Sequence, residues 1–401
     1  MTRYTMRKTG LLFGTVMACG SALAADTLTQ AFSEGTPYGD FRLRYENVDQ
    51  DNALKDGNAL TLRTRLGYKT GTFEGVSGVL EFEDSRVVVN VDDYNDTLGQ
   101  HTDHSVIADP ETTEVDQAFL QYSQSGLTAR GGRQVITFDN QRFVGAVGWR
   151  QDRQTFDGAR LGYAQGDVSF DYAYITNRNR IFAEARDQAA KDNLMHASYV
   201  SPLGTVTGYA YLLELDNHID NGLDTYGLRF SGKTDVDDLG LVYELEYATQ
   251  EADSGGSDAE ADYYRALLGL NAKGMTFSVA YEVLGSDDGT YGFATPLATL
   301  HAFNGWADQF LATPAGGLQD LMATAVIPMA GGKWVLAYHD FSADDDSAGY
   351  DDLGSEVDVA YNRGFGEHYY GGLKYAAYMA GDASAGKVDT SKLWVTLGAR
   401  F

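Results

Sequence analysis

Between Arg130 and Arg160 the chain reads RGGRQVITFDNQRFVGAVGWRQDRQTFDGAR. Six arginines (Arg130, Arg133, Arg142, Arg150, Arg153 and Arg160) share it with three aspartates, a net of +3 in a chain of formal charge −27. A planar guanidinium grips a carboxylate through two parallel hydrogen bonds, and several along a low-dielectric wall would concentrate carboxylate-bearing solutes. The same arginines could instead pair with Asp139, Asp152 and Asp157 and do no more than hold a loop. The middle of the stretch is too long for a turn and too apolar for a free loop, so it is expected to fold back into a channel mouth. Around Gly131-Gly132 the alternation is ambiguous, leaving either Arg130 or Arg133 as the inward residue.

The start of the chain is set apart from the fold. Arg3, Arg7 and Lys8 precede an apolar run from Leu11 to Ala18, and Ala22-Leu23-Ala24 is a small-residue cleavage site. Residues 1–24 are expected to be a cleaved signal peptide, 25–37 a periplasmic N-terminal segment, and 38–401 the folded body. A lipoprotein signal ending at Cys19 is the poorer fit, because Met17 suits it badly. Losing 1–24 takes the charge from −27 to −30 and removes the single cysteine. That excludes disulfide scaffolds, thiol catalysis and Cys-based zinc sites, and the acidic balance argues against nucleic acid.

With 46 Gly, 26 Tyr and 19 Phe against 6 Pro, and no apolar run of membrane-helix length after the signal, the composition is that of half-apolar strands. Segments of about ten alternating residues recur throughout. Phe41, Leu43 and Tyr45 share one face of GDFRLRYEN, and Leu393, Val395 and Leu397 one face of the closing LWVTLGARF. Eighteen strands are predicted, near 38–47, 58–70, 74–86, 113–123, 126–138, 154–164, 167–178, 192–200, 203–215, 222–233, 237–250, 260–272, 274–285, 318–330, 332–342, 352–362, 367–379 and 389–401. Tight turns such as Lys273-Gly274 alternate with long acidic connections, as periplasmic turns and extracellular loops do in a transmembrane antiparallel β-barrel. The expected fold is therefore all-β, a barrel in the bacterial outer membrane amid lipid and lipopolysaccharide, with its last strand closed on its first.

With the apolar face turned to lipid, the other face lines the pore. Parity puts Arg42, Arg44, Arg63, Arg65, Arg229, Arg265, Lys374 and Arg400 there, together with Glu46, Glu81, Glu83, Glu244, Glu246, Glu282, Glu356 and Asp358. A barrel of this size leaves an aqueous channel, so these charges are expected to be solvated. In the long connection from Phe293 to Leu321, an amphipathic helix is expected, with Leu297, Leu300, Phe303 or Asn304, and Phe310 on the wall. His301, Asn304 and Trp306 would form a sugar-stacking loop, a plug with no binding role being the plain alternative.

The string from Gly132 to Arg160 resembles the alginate export family of outer-membrane porins, which share a GRQ, an R-x-V-G, and a W-R-Q followed by T-F-D-x-x-R. The stretch FATPLATLHAFNGWADQFLATPAGGLQDL resembles that family's late loop. The resemblance implies an eighteen-stranded barrel and passage of the polyuronate alginate through an arginine-lined constriction, a role it carries onto Arg133, Arg142, Arg150, Arg153 and Arg160. The lumenal glutamates and the negative total charge depart from a simple anion channel.

The expected function is passive passage of acidic saccharides, such as alginate or its oligosaccharides, with a general diffusion porin as the alternative. An enzyme is not expected, because the histidines at 101, 104, 196, 218, 301, 339 and 368 form no pattern with serine and a carboxylate. A purely structural barrel is the remaining rival. No cofactor is expected. The acidic loops, Asp344-Asp345-Asp346 and Asp351-Asp352 among them, could hold Ca²⁺ or bridge lipopolysaccharide through divalent ions, a solvated rim being the default.

Overall fold

A computed structural model describes residues 25–219, 221–237, 239–253 and 258–401; the expected signal peptide lies outside them. Eighteen strands form one antiparallel sheet that closes on itself. They are β1 Thr36–Gln50, β2 Gly57–Lys69, β3 Val76–Asp93, β4 Thr112–Gln124, β5 Leu127–Gln134 and β6 Thr155–Gln165. There follow β7 Val168–Asn179, β8 Gln188–Ser201, β9 Gly204–Leu213, β10 Leu223–Val236, β11 Leu239–Asp253 and β12 Asp258–Ala272. The last six are β13 Met275–Leu284, β14 Leu318–Met329, β15 Gly332–Ser342, β16 Asp352–Phe365, β17 Tyr369–Met379 and β18 Thr390–Arg400. Closure satisfies every strand edge, the condition for crossing hydrocarbon. The closing pair runs from Asp40 opposite Arg400 to Gln50 opposite Thr390, and Phe401 exchanges backbone hydrogen bonds with Gly39 at 3.0 and 3.2 Å.

The alternation read from the sequence is the alternation of the wall. Leu66, Leu245, Leu268, Val279 and Leu397 are exposed on its outside, while Arg44, Glu46, Arg63, Glu81 and Glu356 are buried within. The tight turns are built from left-handed pairs. Ser125 and Gly126 have φ of 50° and 86°, and Lys273 and Gly274 have 53° and 80°, the primed geometry whose twist matches the strands it joins. At Gly126 a Cβ would also lie 2.4 Å from the carbonyl of Ala164.

Two long connections leave the rim and enter the barrel. The first, 135–154, starts earlier than the alternation implies: the strand expected over 126–138 ends at Gln134. Ile136 and Phe138 share the parity of the lumenal Arg130; they turn inward and join a core with Val144, Ile175, Leu194, Tyr209, Tyr211, Tyr263 and Phe293. The second is 285–317. The helix expected there is absent from it; one 3-10 turn, Leu300–Ala302, stands in its place. Pro296 removes a donor, and Asn304, Gly305 and Asp308 have φ of 54°, 86° and 61°, which a helix cannot accommodate. Leu297 and Phe310 do pack inward. Because both segments fill the lumen, Arg44, Arg63 and Glu356 are buried rather than bathed in water as expected.

In the N-terminal segment a short helix, α1 (Leu28–Ser33), precedes β1, capped by the Thr27 side chain, which accepts from the Gln30 amide.

Candidate functional site

Two networks of charge fasten the inserted segment 135–154 to the wall. On the β10–β13 side an alternating chain starts and ends on the segment itself. Asp139 meets Arg229 at 3.4 Å, Arg229 meets Glu244, Glu244 meets Arg265 at 2.9 Å, Arg265 approaches Glu282 at 3.5 Å, and Glu282 takes Arg142 at 2.8 Å. Arg142 also donates to Thr295 and Asn304, each at 3.2 Å, joining the second inserted segment to the first. Asn304 donates onward to Glu282 at 2.7 Å and Asp320 at 3.1 Å.

On the β1–β4 side the arrangement is denser. Arg150 donates to both oxygens of Glu46 at 3.0 and 3.1 Å and to Asp308 at 3.2 Å. Burial alone would lower the basicity of Arg150, but Glu46, Asp109 and Asp308 more than offset it and raise it above the ordinary value. Arg153 forks onto Asp116 at 2.6 and 3.0 Å and also meets Glu81. Arg44 pairs with Asp109 and donates to the Trp149 carbonyl at 2.6 Å. Arg65 pairs with Glu83, and Arg63 with Asp40 at 2.6 Å. Arg42 spends its donors on the Gln151 side chain and the carbonyls of Gly148 and Arg150. Asp152, in the same inserted segment, is pushed up to about 10 by burial and by the neighbouring Glu83 and Glu114, so it carries its proton at neutral pH.

The arginines of the motif therefore do not stand in one ladder. Arg142 serves one side, Arg150 and Arg153 the other. The pairing alternative considered from sequence is realised with different partners: wall carboxylates, which no local spacing announces, take most of the place of Asp139, Asp152 and Asp157. The ambiguity at the double glycine is resolved by register. Arg130 lies opposite Gln121 and Arg160, on the lumenal face. Arg133 lies opposite Ala118, two residues from the exposed Leu120, so it sits on the outer face of the wall, where Asp157 receives it at 2.8 and 3.0 Å.

Arg130 and Arg160 differ from the rest. Arg130 donates to Gln121 at 2.6 and 3.2 Å and lies 4.3 Å over the Phe119 ring. Among the described residues no carboxylate lies within salt-bridge distance of it. Arg160 pairs with Asp171 at 2.7 Å, lies 5.4 Å from the Phe138 ring, and keeps 25% of its side chain exposed, against 1% for Arg44.

The second inserted segment brings His301, Asn304 and Trp306 together, but not as an open stacking face. The Lys374 ammonium sits 3.7 Å from the ring of Trp306, 4.2 Å from Trp149 and 5.4 Å from Trp394. His301 stacks on Trp149 at 4.3 Å, takes Asp308 at Nδ1 (2.6 Å) and contacts Lys374 at Nε2 (2.6 Å). Burial keeps this imidazole neutral, lowering it to about 3 despite the pull of Asp308. This aromatic cage was missed from sequence, although Trp394 carries a signal: it falls on the polar parity of an otherwise oily strand. Among the described residues no group of three or more histidine, cysteine or acidic side chains is placed to hold a metal ion.

The model of one family, described as alginate export, matches residues 38–283, well over half of the chain. The chain belongs to the alginate export family. No curated protein matches the sequence. Among solved structures, Acinetobacter baumannii OccAB4 superposes with a TM-score of 0.74 at 14% identity, covering 93% of this chain and 99% of its own. The outer membrane protein opdK from Pseudomonas aeruginosa gives 0.72 at 12%, over 92% and 99%, and Pseudomonas aeruginosa OccD3 (OpdP) gives 0.70 at 13%, over 93% and 92%. Identities this low establish the shared barrel alone. Family and fold together make the protein an outer-membrane channel, set in lipid and lipopolysaccharide and passing a solute.

Proposed function

We propose that the channel passes acidic saccharides passively, alginate or its oligosaccharides in particular, and that Arg130 and Arg160 are where a uronate is recognised. The observation that carries this reading is their pairing on the lumenal wall. Two guanidinium groups stand opposite in register, with Asp171 on the next strand held by Arg160 alone, partly open to water and backed by Phe119 and Phe138. A sugar acid needs a fork for its carboxylate, which the two guanidinium groups offer, while the rings of Phe119 and the buried Phe138 hold them in place. The family match supports the same solute class. In this reading Arg142, Arg150 and Arg153 seat the inserted segments and do not meet the solute.

One observation favours the rival, a general diffusion porin: most lumenal arginines are already neutralised by wall carboxylates, which lowers the net field along the pore. Enzymatic activity is not part of the proposal, because His301 has Asp308 on one nitrogen and Lys374 on the other, leaving no place for a serine. Binding of Ca²⁺ by the acidic outer loops remains a separate proposal, tested by calcium titration of the folded channel.

The test is single-channel conductance of the folded protein with alginate oligomers added. Concentration-dependent block that disappears in Arg130→Ala/Arg160→Ala would support uronate recognition there. Block that persists unchanged would remove these two residues from the site, and absence of block in the native channel would favour the general porin.

A further inference from the structure

The short helix α1 is seated at the periplasmic rim, on the β2–β3 turn and beside Tyr68. Its Ala31 is buried on the β2–β3 turn, where the Gly71 amide donates to the Ala31 carbonyl at 2.8 Å. A Cβ at Gly71 would come within 3.2 Å of that carbonyl oxygen, so the turn is shaped to receive the helix. The Ala25 amide donates to the Thr72 carbonyl at 2.8 Å, and the Tyr68 hydroxyl donates to the Phe32 carbonyl. Tyr68 belongs to the outward face: it follows the exposed Leu66 by two positions and lies opposite the exposed Leu80.

With Ala31 and Tyr68 fixing the seat, Leu28 and Phe32 point away from the protein, 59% and 58% exposed. They are four residues apart and form one stripe, with Gln30 on the opposite side. No residue of LTQAFS is charged, in a chain with 57 acidic residues, and Asp26 and Glu34 stand just beyond its ends. On the outward face of the two strands that carry this turn, Leu66, Val76 and Leu80 are likewise exposed. An apolar stripe on an uncharged turn of helix, level with the short turns at the periplasmic rim, suits the boundary between headgroups and acyl chains.

We propose that α1 is a membrane anchor that inserts Leu28 and Phe32 into the periplasmic leaflet of the outer membrane, fastening the N-terminal segment beside the closing seam of the barrel.

The chain has one cysteine, Cys19, so Phe32→Cys in a Cys19→Ser background offers a single thiol for a bimane label. The folded channel would be reconstituted in phospholipid vesicles, with folding checked by heat-modifiable migration. Bromines placed high on the acyl chains should quench the label at position 32 severalfold more than one at Ser33→Cys, and aqueous iodide should show the reverse order. Leu28→Cys provides a second reporter should Phe32→Cys not fold. Iodide quenching at position 32 equal to that at 33, without quenching by bromolipid, would overturn the proposal. Protection from both quenchers would also overturn it, by placing another protein on the stripe.

Discussion

The two ends of the inserted segment 135–154 are held by different physics. Its first half backs the Asp139 and Arg142 ion pairs with an apolar core: Phe143 packs on Tyr209, Tyr263 and Phe293 at centroid distances of 5.1, 5.2 and 6.0 Å, and Ile136, Phe138 and Val144 lie in the same core. Its second half is largely ionic, with Arg150 and Arg153 locked on Glu46, Asp308 and Asp116. Apolar contact is non-directional, hence tolerant of small shifts, and it is not weakened by ionic screening. A buried ion pair is demanding in geometry, and loss of one partner strands the other. The lumen thus has a more compliant side, where apolar packing backs the Arg142 ion pair, and a side that works only when every partner is present.

Breaking the demanding side should have the largest effect. Arg150→Ala leaves Glu46 and Asp308 short of a partner and is expected to cost about 3–5 kcal/mol, read as a lower midpoint of chemical unfolding together with a severalfold rise in conductance as the segment comes loose. An unchanged conductance would mean that the ionic end does not hold the segment in place. On the compliant side Phe143→Ala should cost about 2–4 kcal/mol, somewhat under the value for a fully enclosed ring, and its effect should be the same in low and high salt.

Asp152 sharpens the comparison through pH. Its folded-state pKa of about 10 stands well above that of an exposed aspartate. The stability it contributes is therefore present in full below the unfolded value near 4, and is lost as pH rises towards 10. Asp152→Asn, which keeps an amide where the proton was, should leave unfolding at pH 4 unchanged and raise resistance at pH 9 by about 1–3 kcal/mol. A parallel loss at both pH values would show that the carboxyl is ionised in the folded protein. The smallest effect is expected at Arg133, whose ion pair lies on the outer face. Arg133→Gln should change stability by less than about 1 kcal/mol and leave any block by uronate oligomers as it was.

Much of the wall was legible in the sequence because a strand in a barrel answers one local question, which face meets lipid, and answers it every second residue. Leu66 and Leu245 outside, and Arg63 and Glu246 inside, follow from that rule alone. The rule fails where the chain stops being wall. Ile136 and Phe138 are apolar on the parity of the lumenal Arg130, and they pack into a core that fills the lumen, Phe138 on Tyr211, a burial that the polar-inside rule does not announce. Trp394 could have been recognised by its parity. Its partners, Trp149 and Trp306, lie on two separate inserted segments, so the cage around Lys374 could not.

The sequence by itself determined the barrel, its strand count, its inside and outside, and its membership of a porin family, because these rest on periodicity and on motifs within a few residues. The tertiary structure alone decided which arginines are occupied. Glu46, Asp116 and Glu282 are 104, 37 and 140 residues from the arginines they receive. Whether a guanidinium is spent on such a partner or left facing water, as at Arg130, depends on where two inserted loops come to rest, a matter of packing across the lumen that no local pattern encodes.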